Sequence, residues 1–139
     1  MLFCHLRLSC PQSLKFARFD NTTGYGEYWV NSPHPPAAPD ASWSEAEGFP
    51  YAGTYVGAEA IIAGVFHRPG TEWIGYKAEV HTFLEDGDKV AAFGNYSGTY
   101  QATGKSMRAS FAHLYLLKDG KILGMTQYVD TAMVNKALA

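Results

Sequence analysis

Between Ala109 and Thr131 the chain reads ASFAHLYLLKDGKILGMTQYVDT. Two runs rich in aromatic, β-branched and large aliphatic residues flank Lys118-Asp119-Gly120. An Asp-Gly pair between such runs is the strongest short-range signal for a β-hairpin. Phe111, Leu114, Tyr115, Leu116 and Leu117 build the first predicted strand; Ile122, Leu123, Met125, Tyr128 and Val129 build the second. Neither alternates cleanly between apolar and polar residues. Both faces are therefore expected to be covered, one by the domain's own helix and one by a partner. His113 and Gln127 are the polar exceptions inside this apolar hairpin, and each needs a reason to be there.

Register decides whether they meet. A two-residue Asp-Gly turn puts His113 opposite Thr126 and sends Gln127 to the other face. A type I turn at Lys118-Asp119, with Gly120 as a left-handed bulge, pairs His113 with Met125 and sets Gln127 diagonally beside it. One residue of slip moves a whole side-chain set across the sheet, and the residues leave both registers open.

The 139 residues suit one domain, and a hydrophobic share of 47% is enough for a full core, which argues against disorder. Formal charge is −2 with no basic run, so nucleic acid is not an expected partner. No apolar run is long enough to span a bilayer, so no membrane is expected either. MLFCHLRLSC lacks the basic leader, continuous apolar stretch and cleavage site of a signal peptide. A cytoplasmic protein with Cys4 and Cys10 reduced is the corresponding expectation. The five histidines show no short metal-ligand spacing, so no metal is expected.

Residues 1–40 read as an irregular N-terminal segment and 41–139 as the folded domain. Leu2, Leu6 and Leu8 suggest a short strand, residues 12–19 a brief helix, and Tyr25, Tyr28 and Trp29 a packing patch. The proline-rich run from Ser32 to Pro39 reads as loop. From Ser42 alternation puts Trp43, Glu45 and Glu47 on one face of a strand. A turn-rich loop follows, then a helix of about three turns after Gly57, with Ile61, Ile62, Val65 and Phe66 as its apolar stripe. Pro69-Gly70 is expected to stop it. Strands are predicted over 73–84, 89–102, 106–117 and 121–131, joined by short turns and hence antiparallel. Gly94 and Gly98 mark bends or close approach. A last helix is expected over 131–138, capped by Asp130 or Thr131. The pattern is an α+β domain, a curved sheet wrapped partly around helices.

At WSEAEGFPYAGTYVGAEAIIAGVF and FAHLYLLKDGKILGMTQYVDTA the sequence resembles the SnoaL-like proteins, within the ketosteroid isomerase-like (nuclear transport factor 2-like) superfamily. The resemblance covers about residues 40–138 and implies a cone-shaped domain with a deep, mostly apolar pocket and a homodimer through the sheet. It places Glu45 where ketosteroid isomerase carries its general base, at the end of the first strand. His113 falls at the oxyanion position on the penultimate strand. SnoaL-type cyclases also carry a histidine there, and an aspartate fourteen residues later; here that place is Gln127, which cannot exchange a proton as an acid does. The long N-terminal helix usual in the family has no equivalent in residues 1–40.

The candidate catalytic residues are His113 and Glu45. An ordinary histidine titrates near neutrality and suits acid/base work, and burial would raise Glu45 toward the same range. Each also has a structural reading, a satisfied core imidazole and a strand-edge carboxylate. Gln127 is a candidate for orienting His113 or a ligand. Trp43, Tyr55, Phe66, Phe111 and Met125 are candidates to line a pocket for a small apolar ligand, or to be plain core, and Tyr96 brings a phenol beside His113. The expectation is acid/base proton transfer on an apolar carbonyl or polyketide-like compound, without a cofactor. The alternative is a non-catalytic module that binds a hydrophobic ligand or pairs through its sheet. An epoxide hydrolase is a third reading; it wants a cation, and Arg108 is the arginine near the hairpin.

Overall fold

The computed structural model describes residues 37–139. Cys4, Cys10 and the elements expected before residue 37 lie outside the described residues. Six strands form one sheet: β1 (Ala37–Glu45), β2 (Gly53–Val56), β3 (Trp73–Asp86), β4 (Lys89–Tyr100), β5 (Ser106–Lys118) and β6 (Lys121–Val129). Their order is β2-β1-β6-β5-β4-β3. The meander β3 to β6 is antiparallel throughout, as short turns require, while β1 adds to β6 in parallel and β2 folds back antiparallel onto β1. The molecule is an α+β domain with a curved, mixed sheet.

The hairpin takes a third register. Asp119 and Gly120 both have positive φ, 50° and 74°, and Lys118 pairs with Lys121. The turn is thus the two-residue type I′ form, which matches the twist of the strands. Three residues on, Leu117 faces Ile122 but Leu116 faces Gly124, so Leu123 is an extra residue in β6. This bulge reverses the parity of everything after it. Ile122 and Met125, an odd number apart, both point inward, and Gln127 follows. His113 therefore lies directly opposite Gln127, not opposite Thr126 or Met125.

Burial on β5 alternates strictly, with Met107, Ala109, Phe111, His113, Tyr115 and Leu117 inward. Among the described residues only that inner face is covered; Leu114 and Leu116 remain exposed on the outer one. Against the inner face pack α1 (Ala58–Ile61), a π-helical turn (Ile62–Phe66), α2 (His67–Glu72) and the terminal α3 (Thr131–Leu138). Asp130 caps α3 by accepting from the Met133 N–H at 3.2 Å.

Two expectations need correction. Ala37, Ala38 and Pro39 belong to β1, not to a loop; the register of β1 on β6 shifts between Ala37 and Ser42, the kind of irregular edge where proline is tolerated. Pro69-Gly70 does not stop the helix, which continues to Glu72. The π turn ends at Phe66, so Pro69 stands in the first turn of the following α segment, where a missing N–H costs least. The four-residue β2 was not expected at all; GTYV is too short to carry a period.

Gly94 is a close-approach position. A Cβ there would stand 2.0 Å from the Glu79 carbonyl oxygen and 2.8 Å from the Phe111 ring. β3 bulges onto β4 at this point, between Val80 and Thr82, and only a glycine lets the strand come so near.

Candidate functional site

The inner face carries two apolar clusters. One gathers Trp43, Phe66, Tyr115 and Met125 with the stripe of the helix, the other Phe49, Tyr51, Tyr96 and Phe111 with α3. Between them runs a polar row. Trp43 of β1 pairs with Met125 of β6, which pairs with Tyr115 of β5. Two residues further along each strand, on the same face, stand Glu45, Gln127 and His113. Opposite His113 on β4 is Ala92, a bare methyl, and Tyr96 reaches in from two pleat repeats beyond, past Gly94. Glu45, His113 and Gln127 are the buried polar residues of the described chain, with 7%, 9% and 3% of their surface exposed.

The hydrogen bonds of the row can be followed atom by atom. The Ala46 N–H donates to Gln127 Oε1 at 3.1 Å, which fixes the amide's orientation. Gln127 Nε2 then donates to the Tyr96 hydroxyl at 3.0 Å. Tyr96 Oη lies 2.5 Å from His113 Nε2, and His113 Nδ1 lies 3.2 Å from Tyr115 Oη. With Tyr96 accepting from Gln127, one consistent assignment has its O–H donating to Nε2 and the imidazole donating from Nδ1 to Tyr115. Phe111 stacks on the imidazole with centroids 4.3 Å apart. Burial holds the His113 pKa down near 3, so the ring is neutral.

Glu45 is the opposite case. Burial pushes its carboxyl up to about 7, opposed by a hydrogen bond from the Trp43 indole N–H to Oε1 at 3.0 Å. Its other oxygen, Oε2, is the one buried side-chain polar atom among the described residues without a hydrogen-bond partner. An unmatched buried acceptor is costly and rare, and this one belongs to a group poised to gain or lose a proton at neutral pH.

The fold thus brings together Glu45, Gln127, His113, Tyr96, Trp43, Phe111 and Met125, with Phe66 edge-on to Trp43 at 5.5 Å. Tyr55 sits at the margin: its phenol donates to the Tyr51 carbonyl at 2.8 Å and its ring covers Gly64. Glu47 is exposed just beyond β1. Arg108 is on the outer face, 3.9 Å from Glu79, and takes no part. Glu45 and His113 share the row without a direct bond; Gln127 and Tyr96 stand between them. Two roles were missed by the sequence reading: Tyr115 as the second partner of His113, and Trp43 as a donor to Glu45. Their signal was the two-residue spacing in Phe-Ala-His-Leu-Tyr and Trp-Ser-Glu, which places each pair on one strand face.

Comparison with known proteins now bears on this geometry. The SnoaL-like domain model matches residues 37–125. The chain belongs to the SnoaL-like family. A crystal structure of an NTF2-like protein from Burkholderia thailandensis is 43% identical, with a TM-score of 0.73 over 74% of this chain and 79% of that one. TerC, co-crystallised with polyporic acid, is 28% identical with a TM-score of 0.65, over 73% and 79%. A protein of ketosteroid isomerase-like fold from Catenulispora acidiphila, crystallised with trimethylamine, is 17% identical with a TM-score of 0.66 over 82% and 88%, a likeness of fold alone. No curated protein matches the chain in sequence. Among the described residues no helix of this SnoaL-like domain is long and apolar enough to cross a membrane.

Proposed function

We propose that this SnoaL-like domain catalyses cofactor-independent proton transfer on a small, apolar carbonyl or polyketide-like compound, with Glu45 as the base. The observation that carries the reading is the unpartnered, buried Oε2 of a carboxyl tuned to about 7. Glu45 would take a proton from the carbon next to the carbonyl. The C–H electron pair moves into the carbon–carbon bond and the carbonyl π pair onto oxygen, giving an enolate; the proton on Oε2 then returns to the substrate at the same or another carbon. General-base catalysis works best with a pKa near the working pH. His113, being neutral, takes no proton itself in this scheme. It holds the Tyr96 and Tyr115 phenols, and with Gln127 it stiffens the wall facing the base. The small-molecule complex of the 28% identical relative supports a ligand of this general kind.

The test is solvent-deuterium exchange into a panel of apolar ketones and lactones, followed by NMR. Exchange should rise with pH through about 7, as Glu45 ionises, and then level off. Glu45→Gln should lower it at least a hundredfold, within the usual range for a general base. Exchange in the Gln variant at the wild-type rate would sink the assignment.

One observation favours the non-catalytic reading. Gln127 stands where the cyclases carry an acid, and both ends of its amide are engaged, by the Ala46 N–H and by the Tyr96 hydroxyl. A pure binder would take up the same ketones without exchange, and with affinity that ignores Glu45→Gln. The proposal also includes a homodimer paired through the outer face of the sheet.

A further inference from the structure

Trp43 and Glu45 are two residues apart on one strand, so their side chains leave β1 on the same face. The indole packs edge-on against two rings, Phe66 at 5.5 Å and Tyr115 at 5.9 Å. Phe66 ends the π turn, and Tyr115 is itself tied to His113. Buried with 3% of its surface exposed and packed on these rings, the indole directs its N–H to Glu45 Oε1 at 3.0 Å. On its other side the base is anchored by its backbone, since the next N–H, that of Ala46, is held by Gln127. An indole N–H donates only, so it occupies one carboxyl oxygen without competing for the proton.

Resting on Glu45 as the base, we propose that Trp43 is a positioning residue: it holds Oε1 and thereby makes Oε2 the oxygen that exchanges the proton. The indole also favours the ionised carboxyl, the form a base needs. Removing it should leave Glu45 rotationally free and harder to ionise. Other titratable groups on the neighbouring strands are Tyr55, which pairs with Trp43 from β2, and His113, Tyr115 and Tyr96, and His113 is held near pKa 3. Glu45 is therefore the group whose ionisation the Trp43 indole would sense around neutrality.

The test follows the Trp43 indole N–H by NMR in the intact wild-type chain from pH 4.5 to 9, beside the side-chain carboxyl carbon of Glu45. The indole is identified through its contacts with Phe66 and Tyr115. Its signal should move with the same midpoint as the Glu45 carbon, while that of Trp73, which donates to Tyr51 Oη at 2.9 Å, does not follow. In Trp43→Phe the Glu45 midpoint should rise by about one pH unit. Exchange kcat should fall about tenfold or more with KM nearly unchanged, as for lost orientation rather than lost binding. A Trp43 signal that stays still while Glu45 titrates would overturn the proposal, even if the Phe variant fails to fold. Coupled signals without any exchange activity would keep the Trp43 assignment and reject the catalytic reading instead.

Discussion

Glu45 and His113 pull the stability of this domain in opposite directions with pH. Glu45 is raised from 4.5 to about 7, so its native form keeps a proton that the unfolded chain gives up. Its contribution is fully present below pH 4.5 and is lost as pH rises through 7. His113 is lowered from 6.5 to about 3, so the unfolded chain takes up a proton that the native site refuses. Its contribution is present above 6.5 and is lost as pH falls toward 3. Between 4.5 and 6.5 the two slopes oppose each other and nearly cancel. Glu45→Gln should remove one of them. Its urea-unfolding stability, compared with wild type, should fall behind progressively from pH 7 to 4.5, by on the order of 3 kcal/mol. Equal pH profiles for the two proteins would show that Glu45 does not titrate as buried. Below pH 4.5 the Glu45 slope ends and the His113 slope remains, so the wild type should lose stability steeply there.

The sheet works through its irregularities. The Leu123 bulge turns Gln127 inward, and without it the amide would leave the row and Tyr96 would lose its donor. The bulge of β3 around His81 lets that strand lean onto Gly94. Gly94→Ala should therefore push β3 off β4, because the clash at 2.0 Å is with backbone and no rotamer relieves it. A loss of about 3 kcal/mol in urea denaturation is expected, typical of overpacking a tight site. A change within 0.5 kcal/mol, the scale of an ordinary surface substitution, would mean that the strands separate easily. The π turn has a comparable local role: it delivers Phe66 against Trp43 and leaves Pro69 in a tolerant first turn.

On the scale of the molecule, the outer sheet face is the feature that the described residues leave uncovered. Leu84, Phe93, Leu114, Leu116 and Tyr128 all lie exposed on it. Leu84 and Leu114 both pair with Ala91, and Phe93 and Tyr128 both pair with Ala112, so the patch is continuous across β3 to β6. Contiguous apolar surface of this kind marks an interaction site. The proposed homodimer predicts a dimer by sedimentation at micromolar concentration, and a monomer for Leu114→Lys with the inner face intact. A wild-type chain that sediments as a monomer at every concentration would reject the pairing.

What the residues determine alone is local or periodic. Asp-Gly between apolar runs produced the hairpin, the 3.6-residue stripe Ile61, Ile62, Val65 and Phe66 the helix, and the spacing of Trp43 and Glu45 their common face. These follow from backbone sterics and side-chain period, which act within a few residues. Asp130 as a cap belongs with them. The register was another matter: a type I′ turn and a bulge three residues later are both compatible with KDGKILG, and only the packing of Ile122 and Met125 into one core selects the pair. The position of His113 named a candidate but not its state. An imidazole that titrates near 6.5 in water is neutral here because Phe111, Tyr96 and Tyr115 exclude water from it, and those neighbours arrive from two strands. Glu45 became the poised group for the same reason in reverse. Desolvation is a property of the assembled interior, so which residue of the row holds a proton at neutral pH was decided by the tertiary structure.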